Sequence, residues 1–107
     1  MVDYEVSDHA LEALVAYALE GLEGLRPFAP PQVLKRQRPV RLERTGEGLV
    51  VEVWVAVDYG QVIPELAEKA QRAVAEALYL ATGERVKAVN LTVAQVQDPR
   101  GGHAQAG

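Results

Sequence analysis

The feature that most constrains this chain is the stretch from Leu49 to Asp58, in which every odd-numbered position is a large aliphatic residue. A repeat of two is the period of a β-strand, whose successive side chains point to opposite faces. The odd-numbered residues are Leu49, Val51, Val53, Val55 and Val57. The even-numbered residues are Val50, Glu52, Trp54, Ala56 and Asp58. The pattern predicts a strand with its odd face in a core, so other elements must form a layer over that face.

The residues before this strand predict its hairpin partner. Val40 and Leu42 alternate with the polar Arg41, and the turn-forming sequence Thr-Gly-Glu-Gly follows at residues 45–48. Alternation on both sides of a turn that contains glycine is typical of a β-hairpin.

Two amphipathic helices are predicted, one on each side of the hairpin in the sequence. The first begins after Ser7, a residue type favoured at helix N-caps, and ends within residues 19–23, where glycine favours a stop. The second begins at Ile63-Pro64, because proline is well tolerated in the first helical turn, and continues to Gly83.

The remaining segments complete the predicted element order. Residues 3–6 alternate polar and apolar and predict a short edge strand. Residues 26–39 contain four of the six prolines, which excludes a continuous helix or a central strand and predicts a long loop. Residues 86–93 form a β-branched run that predicts the last strand. Residues 98–107 offer only alanine for burial and predict a flexible tail.

The order short strand, helix, hairpin, helix, strand predicts an α+β fold. We expect a small mixed or antiparallel sheet with two helices packed on it, because each helix must bury its apolar stripe. The chain has 107 residues, which is within the size range of one domain, so we expect a single domain over residues 1–97 followed by the tail.

The composition narrows the function classes. A net charge of -4 argues against a surface built wholly for nucleic acid, and the absence of cysteine excludes disulfides, thiolate nucleophiles and cysteine zinc sites. The amino terminus is acidic, unlike a secretory signal, so we expect a cytoplasmic protein. No apolar run approaches the roughly 18 residues of a membrane span. One asparagine, one serine and eight arginines against three lysines suit a thermophile.

Several short motifs match one family when they are taken as a set. They are Val6-Ser7-Asp8 and residues 20–24 at the ends of the first helix, Asp58-Tyr59-Gly60 after the strand, Ile63-Pro64-Glu65 and Ala81-Thr82-Gly83 at the ends of the second helix, and Val89-Asn90 in the last strand. In these motifs the chain resembles the alkaline shock protein family of bacterial envelope stress proteins. Residues 26–39 depart from the family in length and proline content. The resemblance implies a small non-enzymatic protein, some of whose relatives are recruited to the membrane by a separate anchored partner.

The serine and the histidines do not form a catalytic or metal-binding set. Ser7 is the only serine and is better explained as a helix cap than as a nucleophile. His9 and His103 have no partner histidine at helical or hairpin spacing. We therefore expect no catalytic residue, no metal ligand and no cofactor.

The acidic and glycine motifs also have structural explanations. Glu65 and Glu68 precede Lys69 and Arg72 at four-residue spacing, which is typical of salt bridges on a solvent-exposed helix face. Residues 21–24 match the GxxG loop of some nucleic-acid-binding domains, but the glutamate at position 23 would repel phosphate, so a helix end explains them better.

One basic cluster is a candidate anion-binding site. It consists of Lys35, Arg36, Arg38, Arg41 and Arg44, opposed only by Glu43. Such a cluster can contact phosphate or anionic lipid. The alternative is a solvated loop and an edge strand whose charges discourage aggregation.

Trp54 marks a candidate protein interface. It shares the even face of the predicted strand with Val50 and Ala56, while the odd face already has its aliphatic residues. Either this second face meets another molecule, or the proline-rich segment folds over the tryptophan.

The leading hypothesis is a non-enzymatic interaction or scaffold protein, which we expect to be a homo-oligomer. The family resemblance adds a membrane-anchored protein partner that would recruit it to the inner face of the membrane. The alternative, from a different class, is an anion-binding or nucleic-acid-binding module that uses the basic residues of positions 35–44.

We expect dialysed protein to hold no stoichiometric transition metal and to catalyse no hydrolysis. One serine and two separated histidines cannot supply a nucleophile, a base and an orienting group. Elemental analysis and assays with simple ester and phosphate substrates check this. Retained metal, or turnover that is lost on changing Ser7 or His9 without unfolding, would contradict the expectation.

Overall fold

The fold is α+β, as predicted. A computed structural model describes residues 6–28 and 39–98. The elements are α1 (Asp8–Glu20), β1 (Leu25–Pro27), β2 (Val40–Thr45), β3 (Gly48–Asp58), α2 (Ile63–Thr82) and β4 (Val86–Gln97).

β3 is the central strand of a mixed four-stranded sheet. β2 pairs with residues 48–53 of β3 and β1 with residues 55–57, both antiparallel. Between them, the Phe28 amide donates to the Trp54 carbonyl and the Trp54 amide donates to the Pro39 carbonyl, each at 2.8 Å. β1 and β2 therefore follow one another along one edge of β3, because both backbone groups of a strand residue point to the same side. β4 runs parallel to β3 along its other edge, and α2 forms the crossover.

The core lies between the odd face of β3 and the two helices. All five odd-numbered residues of β3 are at most 1% exposed. The helix residues packed with them in one cluster are Leu11, Val15, Leu19, Leu66, Ala70, Val74 and Leu78. Full burial of a valine or leucine side chain contributes about 1.5–3 kcal/mol. The predicted core face of the strand is confirmed.

The helix ends also follow the predicted signals. The Ser7 Oγ accepts the Ala10 amide at 3.1 Å, which satisfies one of the free amides of the first turn of α1. α2 ends at Gly83, whose φ of 74° is left-handed and whose amide donates to the Tyr79 carbonyl at 2.7 Å. Local sequence chemistry is therefore sufficient to place these boundaries.

The predicted loop over residues 26–39 is wrong at its beginning, where Leu25–Pro27 forms β1. The cause is tertiary, because Leu25 is 3% exposed and lies opposite Val57 in the core. Proline is compatible with an edge strand, since only one side of an edge strand needs ladder hydrogen bonds.

β4 continues to Gln97, past the predicted end at Val93. β3 extends as far as Asp58 and provides ladder partners for the additional residues, with Gln97 opposite Asp58. The polar glutamines gave no strand signal by themselves, so the length of β3 decides where β4 ends.

Both predicted termini lie largely outside the described residues. Val6, the last residue of the predicted strand 3–6, is not in a strand. Of the predicted tail over residues 98–107, only Asp98 is described. The single-domain and tail boundaries stay predictions.

We predict that Gly48→Ala destabilises the protein much more than Gly46→Ala in the same turn. Gly48 has a φ of 136°, and a Cβ there would lie 2.5 Å from the Arg85 carbonyl oxygen. The backbone conformation alone should cost about 1–3 kcal/mol. A Cβ at Gly46 meets no atom within 4 Å. Urea unfolding measures both variants, and equal losses of stability would contradict the prediction.

Candidate protein interface

The even-numbered residues of β3 lie on the sheet face opposite the helices. In the described part of the chain, neither helix packs on this surface, which we call the open face. Val50 and Trp54 are half-buried there, and Ala56 is fully buried although it does not belong to the core cluster. The structure thus places the three predicted interface residues on one face of one strand.

Charged and polar residues surround the tryptophan on the open face. Arg26 of β1 donates from Nη2 to Asp58 Oδ1 at 2.7 Å and to Gln97 Oε1 at 2.5 Å, which ties β1, β3 and β4 together. Arg41 of β2 lies 3.7 Å from Glu52 of β3. An apolar centre within a polar rim of paired charges is the usual anatomy of a protein interface.

The ends of the proline-rich segment meet at Trp54. Phe28 and Pro39 each form a hydrogen bond with a backbone group of this residue, so both described ends of the segment lie against Trp54. Both sequence hypotheses, a partner molecule on Trp54 and cover by the proline-rich segment, therefore concern the same part of the sheet. Contact of Trp54 with another molecule and its cover by residues 29–38, which lie outside the described part, both stay predictions.

The basic cluster does not converge where it is described. Arg41 and Arg44 lie three residues apart on β2, so their side chains point to opposite faces of the sheet. Arg44 Nη1 contacts Asp8 Oδ1 at 2.7 Å, and its Nε lies 3.9 Å from Glu84 Oε1. The other three predicted anion-binding residues, Lys35, Arg36 and Arg38, lie outside the described residues.

The other sequence candidates have structural roles. Ser7 is a helix cap, as interpreted from the sequence. Glu68 Oε2 lies 3.3 Å from Arg72 Nη2, which confirms that salt bridge on α2. Gly21 closes α1, and the Leu22 amide donates to the Leu19 carbonyl. Over residues 6–28 and 39–98, no three His, Asp or Glu side chains are grouped to hold a metal ion.

Within the described residues, neither α1 nor α2 is long and apolar enough to cross a bilayer.

Sequence reasoning missed a second surface, a groove between α2 and β4. Its volume is about 490 Å³, and it is lined by Glu68, Gln71, Arg72, Ala75 and residues 86–89. Gln71 Nε2 donates to the Val89 carbonyl across it, at 3.0 Å. The signal available in the sequence was the absence of charge from Ala88 to Gln97, which is unusual for a strand at a sheet edge.

Solved structures of MamM CTD are similar in fold to this chain. The zinc form of one MamM CTD variant has a TM-score of 0.51 at 16% identity, covering 81% of this chain and 84% of that one. A copper form of another variant has a TM-score of 0.50 at 16% identity, covering 83% and 98%. At such identity the likeness concerns the fold alone, and it agrees with the α+β class derived above.

The sequence comparisons identify the family. No curated protein matches the chain. A family profile matches residues 3–98, and its description gives a cell envelope-related function. The matched range includes β1 and both ends of the proline-rich segment. This is the family that the helix-end and turn motifs indicated. On this match the chain belongs to the alkaline shock protein family.

Proposed function

We propose that this protein is a non-enzymatic interaction module of the cell envelope and that its open face binds a membrane-anchored protein. The observation that carries the proposal is the position of Trp54, on the sheet face that neither helix covers. The family supplies the cellular context, a cell envelope-related function.

The roles of the polar residues support a non-enzymatic function. The Ser7 hydroxyl caps α1, and Glu68, Asp58 and Asp8 each contact an arginine. Catalysis needs a nucleophile or base held in reach of a second group and free to react. Ser7 instead caps α1, and the three carboxylates pair with arginines within α2, between two strands, and between α1 and β2.

The open face suits a protein surface better than a small molecule. Tryptophan is enriched at the centres of protein interfaces, where it contributes a large apolar area and one hydrogen-bond donor. The rim charges of Arg41 and Glu52 already form an ion pair, so a partner that covers them would not bury an unpaired charge.

The distribution of apolar and basic residues supports attachment through a protein and not through lipid. The residues of α1 and α2 at helical spacing, which would form a lipid-binding stripe, are buried in the core. Arg41 and Arg44 each contact a carboxylate, which weakens their attraction for anionic headgroups. The alternative function, anion or nucleic-acid binding by the basic cluster, would have to rest on Lys35, Arg36 and Arg38.

We predict that Trp54→Glu releases the protein from the membrane fraction of its own host cells. The new charge would enter the apolar centre of the interface without a partner. Tyr17→Glu is the matched control, because Tyr17 is 75% exposed on α1, in the helix layer. Fractionation followed by immunoblotting measures retention. If Trp54→Glu instead costs roughly 3 kcal/mol of stability with retention unchanged, the tryptophan is ordinary core.

We also predict that purified protein does not float with anionic liposomes at physiological salt. Each basic residue near a membrane surface contributes about 1 kcal/mol, so unpaired arginines would give measurable binding. The comparison variant neutralises Arg36, Arg38 and Arg41. Strong binding by the unaltered protein that this variant loses would overturn indirect attachment. Salt-sensitive RNA binding with the same loss would favour the nucleic-acid alternative.

A further inference from the structure

β4 has a free edge in the described structure. Ten of its 12 residues pair with β3 along one side, and no described strand pairs with the other. An edge of this kind presents a row of backbone amides and carbonyls that can pair with another strand.

The composition of this edge gives it little protection against pairing. From Ala88 to Gln97 there is no charged residue, no proline and no glycine, whereas natural edge strands are usually blocked by such residues. The nearest cation, Lys87, is engaged with Glu47, its Nζ lying 2.7 Å from Oε1. A free edge without charge over this length is typical of a strand that is paired in its working state.

The register identifies the part of β4 that can pair. Shifts against β3 leave Lys87 and Ala94 without a ladder partner, and such bulges interrupt pairing on both sides of a strand. Between them, Ala88 to Val93 lie in uninterrupted register with residues 50–55. This six-residue section is regular and uncharged, and its first two residues line the groove.

We propose that the free edge of β4 pairs antiparallel with the same edge of a second copy of this chain. The two sheets then form one continuous sheet across the dimer, related by a two-fold axis perpendicular to the sheet, at which one residue of the 88–93 section faces its own copy. Such an interface uses the same patch on both chains, as two-fold symmetry requires. The inference concerns a different surface from the open face and stands independently of the partner proposed there.

The strand itself matches a second copy. Val89, Leu91 and Val93 are half-buried on the helix side, so a neighbouring strand would cover their remaining exposed area. On the other side, Asn90 and Thr92 are exposed, small and uncharged. Antiparallel pairing would therefore bring apolar residues beside apolar ones and would place no like charges opposite each other.

The charges of α2 favour a second copy over an unrelated strand. Glu68 and Arg72 lie one helical turn apart on the groove, and each side chain is 70% exposed. The two-fold axis makes the two α2 helices antiparallel, so Glu68 of each chain approaches Arg72 of the other. Reciprocal charge pairs of this kind set orientation and register.

The groove also shows that the edge can accept hydrogen bonds. The Val89 carbonyl takes one from Gln71 Nε2. A carbonyl oxygen has two lone pairs, so this bond can remain beside a ladder bond or give way to it.

Sedimentation velocity of the purified protein tests the pairing. We expect a dimer of the 11.6 kDa chain, and we expect Asn90→Lys with Thr92→Lys to raise the dimer dissociation constant at least about tenfold, by placing like charges across the axis. Ala13→Lys with Tyr17→Lys, at two exposed positions on α1, is the charge-matched control. A monomeric unaltered protein, or a dimer that the two lysines leave intact, would overturn the proposal. If Trp54→Glu abolishes the dimer and the two lysines do not, self-association uses the open face, and the proposal is overturned too.

Cross-linking gives a direct geometric check. The chain contains no cysteine, so a single introduced thiol can react only with its copy in another chain. We expect Asn90→Cys or Thr92→Cys, whichever lies nearer the axis, to form disulfide-linked dimers under mild oxidation, since a disulfide needs Cα atoms within about 7 Å. Tyr17→Cys should stay monomeric on a denaturing gel. Equal cross-linking at position 17 and at both strand positions would contradict the pairing.

Discussion

The burial of the odd face of β3 against two helices is the interaction on which the rest of the structure depends. Every other strand pairs with β3, and both helices bury their apolar residues in the cluster that its valines and leucine form. Since a strand has only two edges, one accommodates β2 and β1 in succession and the other accommodates β4. The position of every element described here follows from that one strand.

One-sided cover by helices accounts for the surfaces that remain. A two-layer arrangement buries one sheet face and leaves the opposite face to side chains that must tolerate water or a partner. On β3 this face combines Trp54 with charges that are paired across strands, such as Arg26 with Asp58. The parallel crossover then places β4 at the end of the sheet, where no described strand pairs with its outer edge. Two separate surfaces, the open face and the edge of β4, follow from this layering.

Most of the fold could be predicted, because its signals are local. The alternation in β3, the cap at Ser7 and the stop at Gly83 each act within a few residues, and each is confirmed. β1 could not be predicted, since Leu25–Pro27 becomes a strand only through contact with the distant Val57. Among the candidate site residues, Trp54 could be assigned to the correct face of its strand, whereas the carboxylate partners of Arg44 lie far away in the sequence and could not.

The sequence by itself determined the α+β class, the buried face of β3, both helices and the family, because periodicity and capping are properties of neighbouring residues. Only the tertiary structure decided that the loop ends meet at Trp54, that Arg41 and Arg44 point apart, and that β4 has an uncharged edge with which no described strand pairs. These features depend on which strands become neighbours. Core packing between residues that are distant in the chain decides which strands pair, and no local pattern encodes this pairing.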